Sequence, residues 1–368
     1  MVITSIEAIP VRVPIHERLA IRAKGGYHSV SPFLLVRVNT DEGIHGLGEV
    51  SCTPRWSGED QVTAAHFIRT IFTPLLEQQD PRDIERLTLK MRHALSGHPF
   101  TKAAVEMALW DILGKASNLP VYRLLGGPVR EFVPTKWSIS GVEPERAAGI
   151  AEWAVEQGFR AMKVKVGIDP QQDVARVAAV RKVLGPLRLG IDANGAWNVE
   201  TAVRMIRRLQ EYEIAFAEQP VAPGNVQALA EVRRSVLVPI VADESVYTAA
   251  DALQLAHARA ADVFSIYIGK ASGIGPARQV AAVADAAGLV CTIGSNLEMG
   301  VGSAAMIHFA MAAHAIADDF PCDIIGPMFY TDELLQEPLP ITGGQARPHE
   351  KPGLGVELDE EKVRRYRV

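Results

Sequence analysis

The sequence predicts an α/β protein in which a closed barrel of parallel strands follows a smaller α+β domain. Three observations predict it. From about residue 131 to residue 325, short apolar runs alternate regularly with amphipathic helical patterns, which is the grammar of a parallel sheet. Eight such runs, each followed by a helix or a return, suit a closed barrel better than an open doubly wound sheet. No G-x-G-x-x-G follows a strand, which weakens the dinucleotide-binding alternative.

The first domain reads as strands, then helices. Residues 3–13 alternate apolar and polar, and 33–38 and 44–50 flank Asp41-Glu42-Gly43, a hairpin signal. Helical patterns follow at 61–77, 81–95 and 101–116. In the last, Ala103, Ala104, Met107, Ala108, Trp110 and Leu113 form an apolar stripe. Gly126-Gly127-Pro128 then punctuates the chain. Barrel strands are expected at 133–140, 161–166, 187–192, 214–218, 238–242, 262–268, 289–294 and 321–325. Helices are expected at 143–157, 170–184, 198–211, 223–235, 248–258, 275–287 and 301–315. The tail is rich in Pro and Gly and reads as an ordered extension returning to the first domain. The expected division is 1–127, 128–325 and 326–368.

Composition narrows the function classes. The chain has 368 residues, 48% apolar and 22% charged, with a net charge of −5. That is an ordinary globular balance without a broad basic footprint for nucleic acid. Cys52, Cys291 and Cys322 form neither a disulfide framework nor a zinc signature. No run of about 18 apolar residues calls for a membrane span, and the opening residues lack the apolar core of a signal peptide. A cytoplasmic protein is expected.

The polar residues that end the barrel strands carry the chemistry, because active sites of such barrels lie at that face. Asp192, Glu218 and Asp243 end three consecutive strands, 26 and 25 residues apart. Adjacent strands are about 4.8 Å apart, so the three carboxylates should converge. Together they repel unless a cation neutralises them, and an all-oxygen donor set favours a hard divalent ion such as Mg²⁺. Three separate helix N-caps are the alternative, which their common register argues against. Lys163 and Lys165 share one face of their strand, while Met162, Val164 and Val166 supply the apolar outer face. Inward lysines beside carboxylates are costly unless charge-paired or functional. A lysine near a divalent cation is expected to have a depressed pKa and to act as a base. These parts describe one reaction type: a cation binds a substrate carboxylate, Lys165 removes the α-proton, and the cation stabilises the enediolate.

Those motifs, MKVKVG, DANGAW, AEQP and ADES, resemble the enolase superfamily, as do AAVEMALWDILGKASNLPVYRLLGG and PGLGVELDEEKV. The resemblance covers essentially the whole chain. It implies a modified (β/α)7β TIM-type barrel with an α+β capping domain, Asp192, Glu218 and Asp243 as Mg²⁺ ligands, and Lys165 of the KxK pair as acid/base. Glu298, in SNLEMG, matches the strand-seven acid of the muconate-lactonizing subgroup. A homo-oligomer is typical of similar proteins.

The sequence departs from these patterns at several positions. Asn296 stands where the mandelate-racemase subgroup has a His. Aligned on Gly273, Tyr267 stands where the muconate-lactonizing subgroup has its strand-six Lys, and Lys270 matches the second Lys of that pattern. At strand eight, Asp323-Ile324-Ile325 retains only the first acid of the D-x-D of dipeptide epimerases. Strand parity places Tyr267 in the site and turns Lys270 away, unless the strand ends first. The capping loops that set specificity correspond to 16–31, offering Arg22, Lys24, Tyr27 and His28, and to 52–60, offering Arg55 and Trp56. His66, His257 and His308 read as satisfied structural residues, and Met299 and Met306 as core.

The reading is a Mg²⁺-dependent isomerase or lyase of the muconate-lactonizing-like branch, acting on a small carboxylate substrate. Lys163, Lys165, Tyr267 and Glu298 are its candidate catalytic residues. One clear lysine base favours cycloisomerisation or β-elimination of water. The alternatives are a two-base racemase, which needs Tyr267 or Lys270 as second base, and a non-catalytic metal-binding barrel.

Overall fold

Alternation in Ile3–Pro14 (β1) builds the first strand of an antiparallel sheet completed by Val30–Thr40 (β2) and His45–Ser51 (β3), in the order β1-β2-β3. The hairpin turns at Gly43, whose φ of 77° a side chain would disfavour. The computed structural model describes residues 1–23 and 26–368, the side chains of 21–28 excepted. The helix Pro99–Ser117 (α1) lies across this sheet and is buried on nearly every face. It approaches β3 closely because Gly48 has no side chain: a Cβ there would stand 1.7 Å from the Ala104 carbonyl oxygen. The helix expected over 61–77 runs from Gln61 to Leu76, widened over Ile68–Phe72.

The second region is a ring of parallel strands. Trp137–Ile139 (β4), Ala161–Lys165 (β5), Arg188–Asp192 (β6), Phe216–Glu218 (β7), Ile240–Ala242 (β8), Val263–Ile266 (β9) and Val290–Ile293 (β10) pair in sequential order. Residues 321–324 close the ring. Cys322 N donates to Pro134 O, Lys136 N to Cys322 O, and Asp323 N to Ile293 O. Interior polarity follows strand parity. Phe216, Val241 and Val263 form a small apolar cluster of their own inside, whereas Met162 and Val164 join the main core.

Three expected strands differ. The run 321–325 forms no regular strand, only a parallel bridge between Cys322 and Thr135. The run 133–140 divides: Val133–Pro134 pairs antiparallel with Gln345–Ala346 of the tail, and only β4 belongs to the ring. The run 262–268 ends as a strand at Ile266, and Ile268–Ala271 forms one helical turn. The tail therefore braces the barrel as well as the first domain, where Val368 N donates to Pro10 O and Leu354 N to Asp111 Oδ1 at 2.7 Å. All three cysteines are buried free thiols. Among the described residues no helix is long and apolar enough to cross a membrane.

Candidate active site

The C-terminal ends of β5, β6 and β7 are in register, with Lys165 opposite Asp192 and Asp192 opposite Glu218. Both lysines of β5 point inward. Lys163 Nζ donates to Glu218 Oε1 at 2.7 Å and to Asp323 Oδ2 at 2.8 Å. Lys165 Nζ donates to Asp192 Oδ2 at 2.5 Å and to Asn194 Oδ1 at 2.9 Å. Asp243 accepts from Lys270 Nζ at Oδ1 and from the Tyr267 hydroxyl at Oδ2, the latter at 2.8 Å. Each candidate metal ligand thus has its own lysine.

The expected convergence of carboxylates takes that form. As placed, no three of the described His, Cys, Asp and Glu side chains are gathered into a metal-ligating group. Neighbouring carboxylates repel, and ammonium groups at hand take up their charge. The donor set still suits a hard cation: it is all oxygen, and Glu218 Oε2 is buried with no hydrogen-bond partner. Burial, reinforced by Asp192, Asp243 and Asp323, pushes Glu218 up to about 8 despite Lys163. A centre where a carboxyl resists ionisation for want of positive charge favours a divalent cation.

Burial, with Lys163, pulls Lys165 down, but Asp192 and Glu218 together outweigh them and raise the ammonium above its ordinary range. Lys163 is driven well up, because Asp323, Glu218 and Asp192 together outweigh burial.

The opposite side corrects the strand-parity expectation for Lys270. Because β9 stops at Ile266, the following turn carries Lys270 back inward. It is 2% exposed. Its Nζ donates to Asp243 O at 2.6 Å and to Ser265 O at 3.0 Å, besides Asp243 Oδ1. Tyr267 does line the site, buried beneath Trp56 with ring centroids 5.3 Å apart. Burial and the surrounding carboxylates push its phenol well above the ordinary range.

Glu298 is buried but turned to its own loop, accepting from Ser295 Oγ at 2.6 Å and Asn296 N at 3.0 Å. Asn296 joins the barrel to the first domain, its Nδ2 donating to Thr53 Oγ1 at 3.0 Å. Of the capping-loop candidates, Trp56 reaches the site and Arg55 is exposed. Lys24 and the side chains of Arg22, Tyr27 and His28 lie outside the described residues. His308 is buried and satisfied by Tyr122 N and Leu354 O. His66 and His257 are exposed instead, on the outer sides of their helices. Met299 and Met306 are core.

Residues outside the candidate set complete the site. Asn194 and Gln219 follow the candidate ligands Asp192 and Glu218 with φ of 44° and 36°, strained values of the kind that accompany functional turns. Gln219 Oε1 accepts from Asp243 N at 3.0 Å and Ser245 N at 3.2 Å, fixing the next acid. Lys136, inward on the first strand segment, pairs with Asp323 Oδ2 at 3.2 Å. Its position in Thr135-Lys136-Trp137, a lone lysine in an apolar run, was the available signal.

A capped parallel barrel with lysines and carboxylates facing each other at its strand ends defines an enzyme of the enolase type. The chain belongs to the mandelate racemase/muconate lactonizing enzyme family: its N-terminal domain matches residues 5–126, and the enolase C-terminal domain-like region matches 145–362. It is 33% identical to N-succinyl-L-Arg/Lys racemase of Bacillus cereus, over 100% of this chain and 98% of that one. It is 36% identical to muconate cycloisomerase 1 of Rhodococcus opacus, over 92% and 91%. The crystal structure of 2-chloromuconate cycloisomerase from Rhodococcus opacus superposes with a TM-score of 0.95 at 32% identity, covering 100% of both chains.

Proposed function

We propose that this enzyme moves a proton α to the carboxylate of a small acid, with Lys165 as its single acid/base, in a cycloisomerisation or a dehydration. The asymmetry of the site carries this reading. On one side Lys165 spends two N–H groups, on Asp192 and Asn194, and an ammonium has three. On the other, Lys270 donates to Asp243 O, Asp243 Oδ1 and Ser265 O, and the Tyr267 hydroxyl is committed to Asp243. That side offers a hydrogen-bonded wall and no second base. Similarity to muconate cycloisomerase 1 supports the same reading.

Asp192, Glu218 and Asp243 would hold Mg²⁺, which supplies positive charge opposite the substrate carboxylate and the charge that develops as the proton leaves. Lys163 holds Glu218 and Asp323 in place, and Glu298 orders the loop after β10. The division at 127 and 325, a cytoplasmic location and a homo-oligomeric state belong to the same proposal.

A two-base racemase is the second reading, favoured by the 33% identity to an N-succinyl-L-Arg/Lys racemase. Solvent exchange distinguishes the readings. A panel of small carboxylic acids, both enantiomers of each, is incubated with enzyme and Mg²⁺ in D₂O. Deuterium entering one enantiomer only supports one base. Entry into both overturns that reading, and entry into none overturns catalysis of this type.

A further inference from the structure

Trp56 belongs to the first domain, yet it touches the barrel at Tyr267 and at Glu244. Its ring stacks on Tyr267 with planes 18° apart and meets Phe100 edge-on, centroids 6.0 Å apart. Its Nε1–H donates to Glu244 Oε1 at 3.2 Å. The same oxygen accepts from Asn194 Nδ2 at 2.9 Å, and Asn194 Oδ1 accepts from Lys165 Nζ at 2.9 Å. Three hydrogen bonds in series therefore join a tryptophan of the first domain to the candidate base.

The chain has one direction. As an ammonium Lys165 donates only, so Asn194 must present its amide oxygen there, and its NH₂ then faces Glu244 Oε1, which accepts from it and from Trp56. The backbone holds the amide in that pose: Asn194 N donates to Asp192 Oδ1 at 2.9 Å, and φ is 44°. With two of the Lys165 N–H groups directed at Asp192 and Asn194, the direction of the third is set by geometry. Small misplacements of such a group are costly in rate.

We propose that Trp56, Glu244 and Asn194 are positioning residues that aim the Lys165 ammonium, so that seating the 52–60 segment on the barrel and orienting the base are one event. This rests on the reading of Lys165 as the acid/base.

The test observes the ammonium directly, so it needs no substrate. In full-length protein labelled with ¹⁵N-lysine, the Lys165 side-chain signal is identified by its loss in Lys165→Ala. Trp56→Phe keeps a ring against Tyr267 and removes the Nε1 donor, and Glu244→Ala cuts the chain from the barrel side. Both are expected to shift or broaden the Lys165 signal, while that of Lys102, which donates to Gly97 O in the first domain, stays in place. Glu244→Gln retains an oxygen acceptor for both donors and is expected to restore the wild-type signal. A Lys165 signal unmoved in both Trp56→Phe and Glu244→Ala overturns the proposal. α-Deuterium exchange persisting in Lys165→Ala overturns the base assignment instead, and with it the purpose given to the chain, so the two failures are distinguishable.

Discussion

The Lys270 ammonium rests on the face of the Tyr267 ring, 4.1 Å from its centroid, while each residue holds a different oxygen of Asp243. The acid is thereby fixed from two sides, and the cation gains a ring face that water would otherwise have to replace. Removing the cation alone leaves Asp243 buried and uncompensated. Lys270→Met is therefore expected to lose about 3–5 kcal/mol of stability, whereas Tyr267→Phe, which keeps the ring, loses about 1–3 kcal/mol. Urea unfolding of both variants checks this, and equal losses would contradict it.

Tyr267 has its place because Gly294 has no side chain. A Cβ at 294 would stand 2.0 Å from Tyr267 Cε1 and 2.3 Å from Ser265 Oγ. Gly294→Ala is expected to push the ring off Asp243 and to cost about 1–3 kcal/mol by overpacking. A crystal structure of the variant with Tyr267 unmoved would refute it.

The metal assignment predicts that Asp192→Asn, Glu218→Gln and Asp243→Asn each abolish saturable Mg²⁺ binding in calorimetry. Chelation should remove turnover reversibly, Mg²⁺ restoring it. Retained binding in any one variant removes that residue from the set.

The parts of this site legible in the sequence are those whose spacing matches the barrel repeat. Asp192, Glu218 and Asp243 each end a unit of similar length, and Lys163 and Lys165 declare their face through the apolar residues between them. Strand parity alone turns Lys270 away because it assumes a continuing strand, and this one ends at Ile266. Gly269, beside it, faces Phe100 of α1, whose ring leaves no room for a Cβ. Lys136, Asn194 and Glu244 are not legible in the sequence for another reason. Their roles depend on contacts across strands and domains, which one-dimensional spacing does not encode.

Acid–base linkage gives a further prediction through Glu49 on β3. Its carboxylate accepts from Met299 N at 2.7 Å and Gly302 N at 3.0 Å, tying the first domain to the helix Gly300–Ala312. Burial pushes it from 4.5 up to about 8 despite those donors. The folded state then keeps a proton that the unfolded chain has lost. The contribution to stability is full below the unfolded value and disappears as pH rises through the folded one, on the order of a few kcal/mol. Glu49→Gln cannot titrate, so its stability should fall less than that of wild type between about pH 5 and 8. Parallel slopes in urea unfolding would rule this out.

The one-base reading meets its sharpest test at Tyr267. Lys165→Ala should lower α-proton exchange by roughly 10²–10⁴-fold on whichever enantiomer the enzyme accepts. Tyr267→Phe should leave the other enantiomer as inert as in wild type, since a phenol held well above its ordinary range by burial and by Asp243 removes no proton at neutral pH. Tyr267→Lys reverses the logic. An ammonium there would face Lys270, and two like charges in a buried site disfavour each other, lowering the pKa of one of them. That is the condition for a base on the second side. Deuterium should then enter both enantiomers in Tyr267→Lys, and in Lys165→Ala/Tyr267→Lys only the one that wild type leaves untouched. Exchange of both enantiomers by wild type, or retention of the wild-type preference in the double variant, would show that Lys165 and residue 267 do not stand on opposite faces of the substrate.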